Sequence, residues 1–356
     1  MHHSPLSMNL KQMFSRRPIS VVIAALSVAI IGLALWSPDS SVELAPPVVE
    51  APIENSLSGR VGSDGPILVV KIDDSRPAHP QAGLEDADIV YIEQVEGGLT
   101  RLAALFSSKI PIRVGPVRSA RISDLELLEQ FGPVGFAYSG AQSKLRPVIA
   151  ASDLVDLGAM THSPTIYTTD PARYSPFAMI LRADLLMELV RERDTTLAIS
   201  KSPGWSFGKA PESGVKIDSA TVSWPANSYT ANWSKSKSGW LLDHGGNPNV
   251  LENGERVIAS TFVIQIVEIT DSIYKDKVGG VTPFSKTIGE GDGYILRDGN
   301  YYKARWSRPT PDAGTTWKTL AGEEITFAKG QIWVALTDKE PNFSIKAADA
   351  PAVEKK

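Results

Sequence analysis

The sequence predicts an α+β protein in three parts: an N-terminal transmembrane helix, a mixed α/β module, and a mainly antiparallel β module closing as a sandwich or a partly open barrel. Three observations carry this. An uncharged apolar run covers residues 19–36, β-branched runs alternate with helical stretches across 66–200, and short strands with tight turns fill 213–337. The length agrees, since 356 residues exceed a prior of roughly 150 per domain. With 42% hydrophobic and 21% charged residues the chain is ordinary globular material. Its net charge of −4, from 36 Lys plus Arg and 40 Asp plus Glu, argues against a nucleic-acid partner. Cysteine is absent, which excludes disulfides, thiolate metal sites, a cysteine nucleophile and a cysteine-borne lipid.

Residues 1–18 are a basic segment, and Lys11, Arg16 and Arg17 precede the apolar run from Ile19 to Trp36. As a helix these 18 uncharged residues span about 27 Å, close to the hydrocarbon thickness of a bilayer. The basic flank keeps the N-terminus cytoplasmic and exports the rest, so the expected location is the cell membrane, single-pass, with extracytoplasmic modules. Cleavage as an ordinary signal peptide after Gly32-Leu33-Ala34, or twin-arginine export through Arg16-Arg17, are the alternatives. Residues 37–65 hold four prolines, five acids and no aromatic residue, and read as a flexible tether. Residues 338–356 read as a disordered tail.

In the α/β module, strands are expected over 67–72, 88–95, 101–108, 112–114 and 134–138. Ser123 with Glu126 three residues on forms a capping box for a helix along Leu125, Leu127, Leu128 and Phe131, and further helices are expected over 143–151 and 178–192. Arg113, Arg118 and Arg121, with Ser119 between them, cluster ahead of the capped helix. Unpaired N–H groups at a helix start and three guanidinium groups make a candidate anion site. The acids Asp73, Asp74, Glu93 and Glu96 fall at neighbouring strand ends and are candidates for the same polar cleft. Charges at such positions are usually paired, so arginine–carboxylate pairing is the stronger expectation.

These acids match no calcium-loop spacing, and no histidine pair has metal-ligand spacing, so neither a metal nor a cofactor is expected. His79, His162 and His244 read as solvated loop residues. Tyr138-Ser139-Gly140 after a strand lacks the G-x-S-x-G pattern of a nucleophile elbow.

The second module has two hairpin signals, Asn253-Gly254 and Asp298-Gly299, flanked by β-rich runs at 257–267 and 294–306. Gly289 to Gly293 reads as a loop and opens no helix, so it is not a phosphate-binding fingerprint. Seven of the eight tryptophans lie in this half and read as filling for a small β core, with a sugar or peptide platform as the alternative.

The run ILVVKIDDSRPAHPQAGLEDADIVYIEQVEGGLTRLAALFSS, followed by RVGPVRSAR, resembles the YerB-like lipoprotein family, a two-part domain of unknown function. The likeness covers about residues 66–337. Its most specific segments are Gln81 to Leu84, Glu96 to Arg101 and Gly115 to Ser119. It implies an envelope protein anchored to the cytoplasmic membrane, with no established enzyme activity. Two departures matter: the lipid-bearing cysteine is missing, and Ser175-Pro176-Phe177-Ala178 stands where relatives tend to carry Ala-Pro-His-Asn. Loss of that His-Asn pair favours a non-catalytic binding or scaffold protein of the envelope, with an envelope protein or anionic ligand as partner. The alternative is an envelope hydrolase using Asp73 or Glu96 as acid or base.

Overall fold

The computed structural model describes residues 52–345. In the first half the strands are β1 (Leu68–Asp73), β2 (Ile89–Gln94), β3 (Thr100–Phe106), β4 (Gly135–Ala137), β5 (Val155–Asp156), β6 (Tyr167–Thr169) and β7 (Met179–Leu181). The helices are α1 (Ile122–Glu129), α2 (Arg146–Ala150) and α3 (Ala183–Glu192). The second half contributes β8 (Val215–Lys216), β9 (Ser219–Trp224), β10 (Asn227–Ser234), β11 (Gly239–His244), β12 (Asn247–Pro248), β13 (Ile258–Ala259) and β14 (Thr261–Ile266). It continues with β15 (Ile269–Lys275), β16 (Val281–Ser285), β17 (Gly289–Arg297), β18 (Asn300–Arg308), β19 (Thr316–Thr319), β20 (Ile332–Thr337) and β21 (Asn342–Ser344).

One eleven-stranded sheet runs through both halves in the order β19-β18-β17-β14-β20-β2-β3-β1-β4-β5, with β8 added beside β18. The halves meet where β20 pairs parallel to β2, Ile89 opposite Ile332 through Ile92 opposite Ala335. Strands β1 to β3 are covered on both faces, which is why they read as unbroken apolar runs rather than alternating ones. Leu68, Val70 and Ile72 face one core with Trp224, Tyr229, Trp240 and Trp333 of the second half. Val69, Leu105 and Tyr91 face the other, with Leu127, Leu128, Trp306 and Trp317. Each such side chain, fully buried, is worth about 1.5–3 kcal/mol. A second sheet, β12-β11-β10-β9-β21 with β13 beside β11, packs on the first of these faces. The Trp224 indole N–H donates to Leu336 O at 2.8 Å and ties the two sheets together.

The α+β expectation is therefore corrected: the described residues are mainly β, with three short helices among them and a shared sheet in place of an α/β module followed by a separate sandwich or barrel. The three expected helices are present but short, and loops and single 3-10 turns, rich in proline at Pro77, Pro80, Pro111, Pro116 and Pro133, make the other connections. The transmembrane helix expected over 19–36 lies outside the described residues, as does the basic segment before it. No helix among the described residues is long and apolar enough to cross a membrane.

The tether expectation fails from Pro52 onward. Leu57 is buried and its carbonyl accepts from the Trp205 indole at 3.3 Å, while Asn55 donates to Ser107 and Ser200. Bonds to residues distant in sequence thus order a segment that has no core of its own. The expected tail is likewise structured through residue 345: β21 pairs with β9, and Phe343 stacks on Tyr301 at 4.2 Å.

Other differences are local. Gly289 to Gly293 belongs to β17 rather than a loop. A Cβ on Gly293 would lie 2.5 Å from Ile264 O and 2.8 Å from the Trp317 ring, so glycine is what lets the neighbours close in. Asp298 (φ 52°) and Gly299 (φ 75°) form the hairpin turn between β17 and β18, with both residues left-handed. Only Gly254 of the Asn253-Gly254 pair is left-handed.

Ser123 and Glu126 do not cap α1. The helix begins at Ile122, and the Asp124 carboxylate accepts from the Arg121 N–H at 2.6 Å. Ser123 and Glu126 instead accept from backbone N–H groups of Ser285 and Thr287.

Beneath α1 sits a buried charge triad. Lys71 on β1 is fully enclosed, its ammonium 2.6 Å from Glu93 of β2 and 2.7 Å from Asp124 of α1. One cation cannot balance two carboxylates in this environment. Burial first, and then the Asp124 charge, push Glu93 up to about 8, so it is protonated at neutral pH. The folded chain thus holds this proton more tightly than the unfolded chain does. The sign follows: the Glu93 contribution to stability is fullest below about 4.5 and declines as pH rises towards about 8. Urea unfolding across that range is expected to show the decline in the wild type and a flatter profile in Glu93→Gln.

Candidate functional site

The triad positions the segment that carries the arginines. With α1 fixed through Asp124, residues 116–121 lie across the end of β1. Arg118 N–H donates to Lys71 O at 2.8 Å, and Asp73 N–H donates to Pro116 O at 2.9 Å. The turn after β2 completes the frame. Gly97 (φ 69°) and Gly98 (φ 71°) are both left-handed, and a Cβ on Gly98 would lie 2.4 Å from Pro225. That reversal brings Glu96 back beside Arg121 and sets Arg101 of β3 opposite both Asp73 and Glu93.

The result is an open cleft of about 780 Å³. Arg118 closes onto Asp73 as an ion pair. Arg121 forks onto Glu96 at 2.7–2.9 Å, and the Thr282 hydroxyl donates to the same carboxylate. Burial pushes Glu96 up, but Arg121 and Thr282 outweigh it and hold the carboxyl below its usual range. Arg101 donates to Ser119 O at 2.9 Å. Burial, and then the charges of Arg121 and Arg118, pull its pKa down. The strain is one of like charges: three guanidinium groups share two carboxylates.

Arg146, Lys275 and Lys277 add further positive charge at the rim, against Asp276. The two lysines ride on the β15–β16 hairpin, which Gln142 holds by donating to Lys275 O at 2.9 Å. Val117, Leu145, Met160, Pro176 and Met179 form apolar wall. Phe177 lies beneath the Arg118 guanidinium, 5.8 Å from ring centre to Cζ, and Ala178 lines the cleft.

Of the sequence-predicted residues, Arg118, Ser119, Arg121 and Glu96 line this cleft, and Asp73 pairs into it. Arg113 is elsewhere, paired with Asp170 at 3.1 Å and Glu252 at 3.3 Å. Glu93 is sealed in the triad. Arg101 was missed as a site residue. Its signal was present in the Glu96 to Arg101 motif, since a lone arginine ending an apolar-flanked strand must find a polar environment.

Asp74 faces away from the cleft, towards the second sheet. Fully buried, it accepts from Tyr229 at 2.6 Å and Thr100 at 2.5 Å. Around it stand His79 and His244, whose rings stack at 4.2 Å. Both were expected as solvated loop residues, but their side chains are only 16% and 11% exposed. Burial raises the Asp74 carboxyl, yet His79, His244 and Thr100 together bring it below its usual range. Burial pulls His244 down. Residues 79 and 244 are far apart in sequence, so no spacing rule could pair them.

The comparisons agree with this architecture. Residues 55–196 match the family described as "Protein of unknown function (DUF3048) N-terminal domain", and residues 220–334 match its C-terminal domain. The chain belongs to this DUF3048 family. The Bacillus subtilis protein named "Putative lipoprotein YerB" is 40% identical over 84 residues, which is 24% of each chain, so the match spans about a quarter of that relative. The crystal structure of YerB protein from Bacillus subtilis superposes with a TM-score of 0.69 at 20% identity, covering 82% of this chain and 99% of that one. At that identity the likeness is one of fold.

Because Glu96 is nearly enclosed, removing Arg121 leaves its carboxylate with the Thr282 hydroxyl but no guanidinium bonded to it. Arg121→Met is expected to cost about 3–5 kcal/mol in urea unfolding at neutral pH. Adding Glu96→Gln should recover much of that loss, and the double-mutant cycle measures the coupling.

Proposed function

We propose that this protein is an envelope protein that binds an anionic ligand, of the phosphate or carboxylate class, in the Arg101–Arg118–Arg121 cleft. The observation that carries the reading is the charge imbalance. Six basic residues line the cleft against Glu96, Asp276 and the Asp73 that pairs with Arg118, in a chain whose net charge is −4. An anion bound across Arg101 and Arg118 would relieve the repulsion that burial imposes on the guanidinium groups. The apolar wall of Val117, Leu145 and Met179 suits a ligand whose anionic head carries a less polar body.

The lipoprotein name borne by the Bacillus subtilis relative supports a place at the membrane face of the envelope. Closure of Asp73 and Glu96 onto arginines supports binding over acid–base hydrolysis, which would need one carboxylate free to exchange a proton.

Calorimetric titration of the full-length chain with inorganic pyrophosphate tests this. Binding is expected at low salt, and it should weaken as salt rises. Arg101→Met should lower the affinity about tenfold or more, while Arg113→Ala, outside the cleft, should leave it unchanged. Absence of binding at low salt, or equal loss in both variants, would overturn the reading.

A further inference from the structure

On the opposite face of the sheet from the arginine cleft, Asp74, His79 and His244 each turn one donor atom towards a common point, all within 4.8 Å of one another. The hydrogen bonds around them decide what those atoms offer. His79 Nδ1 lies 3.2 Å from Asn249 Oδ1, and with that oxygen accepting, Nδ1 carries the proton and Nε2 presents a lone pair. His244 Nε2 lies 2.9 Å from the Asn227 amide nitrogen and accepts its N–H, so it is unprotonated and a cation would take the place of that donor. Both face one carboxylate. Asp74 Oδ1 is 3.4 Å from His79 Nε2, and Oδ2 is 3.7 Å from His244 Nε2. In this structure the neutral Asn227 amide, 3.3 Å from Asp74 Oδ2 and 2.9 Å from His244 Nε2, stands where a cation would bring full charge to the buried carboxylate.

Gln81 provides an independent observation. It is fully buried, and its Oε1 has no hydrogen-bond partner. Its Nε2 lies 3.1 Å from His79 Nε2 and 3.4 Å from Asp74 Oδ1. A half-turn of the amide exchanges its ends without changing its shape. The oxygen would then occupy the inner position as a fourth donor, with the metal bond replacing the 3.3 Å hydrogen bond that Nε2 donates to Asp73 O.

We propose that Asp74, His79, Gln81 and His244 form a structural zinc site clasping the loop of residues 75–83, in the first half, to β11 in the second. Zinc bonds of about 2.0–2.2 Å to nitrogen and oxygen set tetrahedral donors about 3.3–3.6 Å apart. The separations among the Gln81 amide, His79 Nε2 and Asp74 Oδ1, 3.1, 3.4 and 3.4 Å, match that spacing, and His244 Nε2 lies 3.7 Å from the other carboxylate oxygen. Two imidazoles, a carboxylate and an amide oxygen suit zinc better than calcium or magnesium. The supporting bonds are in place: Asn249 holds the outer nitrogen of His79, and Tyr229 and Thr100 hold the carboxylate. Four protein donors leave no position for a reacting water, so the role is structural.

The test uses the full-length chain, made without a histidine tag, stripped with a chelator and dialysed against zinc. The expected result is stoichiometric zinc retention by elemental analysis, a higher melting temperature, and the intense visible bands of tetrahedral cobalt when cobalt replaces zinc. The His79→Ala/His244→Ala double variant should lose retention, bands and the melting shift, while His162→Ala keeps all three. Asn249→Ala should weaken zinc affinity about 10–100-fold. Should the double variant fail to fold, the wild-type cobalt spectrum still decides. Weak octahedral bands, no retained metal, or retention unchanged in a folded double variant would each overturn the proposal.

Discussion

Enclosure of the Lys71 ammonium between Glu93 and Asp124 is the constraint on which the rest of the architecture turns. It joins β1, β2 and α1 at a point with no access to solvent. Removing Lys71 or Asp124 would strand an uncompensated charge, so the elements are coupled more tightly than apolar contact alone would achieve. Because Asp124 also accepts from the Arg121 N–H, the triad fixes both the start of α1 and the strand-like segment before it. The arginine cleft is built on that segment. Its geometry is therefore inherited from a buried charge cluster that never touches the ligand space.

A second consequence follows from alternation along β1. Asp73 and Asp74 are adjacent, yet one carboxylate meets Arg118 in the cleft and the other meets Tyr229, His79 and His244 beneath the second sheet. The two polar centres thus sit back to back at the end of one strand. The parallel pairing of β20 with β2 makes this possible, because it brings the second half of the chain alongside the first. Trp224, bonded to Leu336 O, then seats the second sheet over the Asp74 side. A change at the end of β1 would reach both centres at once.

Much of this was legible in the residues. The runs at 67–72, 88–95 and 101–108 announce strands, since fully covered strands are apolar without interruption. Asp298-Gly299 announces its turn through the backbone freedom it requires. Placing Arg118, Ser119 and Arg121 together needed only their proximity in sequence. What misled was the inference from alternating segments to an α/β module. The expected helices are there but short, and the long sheet draws strands from both halves.

The amino-acid sequence by itself determined the local conformational choices and which residue types could meet an anion, because both depend on neighbours a few positions away. Only the tertiary structure decided that Glu93 is sealed against Lys71, that Arg113 leaves the cleft while Arg101 joins it, and that His79 and His244 stack beside Asp74. Those outcomes depend on strand order and on which face each side chain takes. Neither is encoded in spacing, since residues 79 and 244 become neighbours only through packing of one sheet against another.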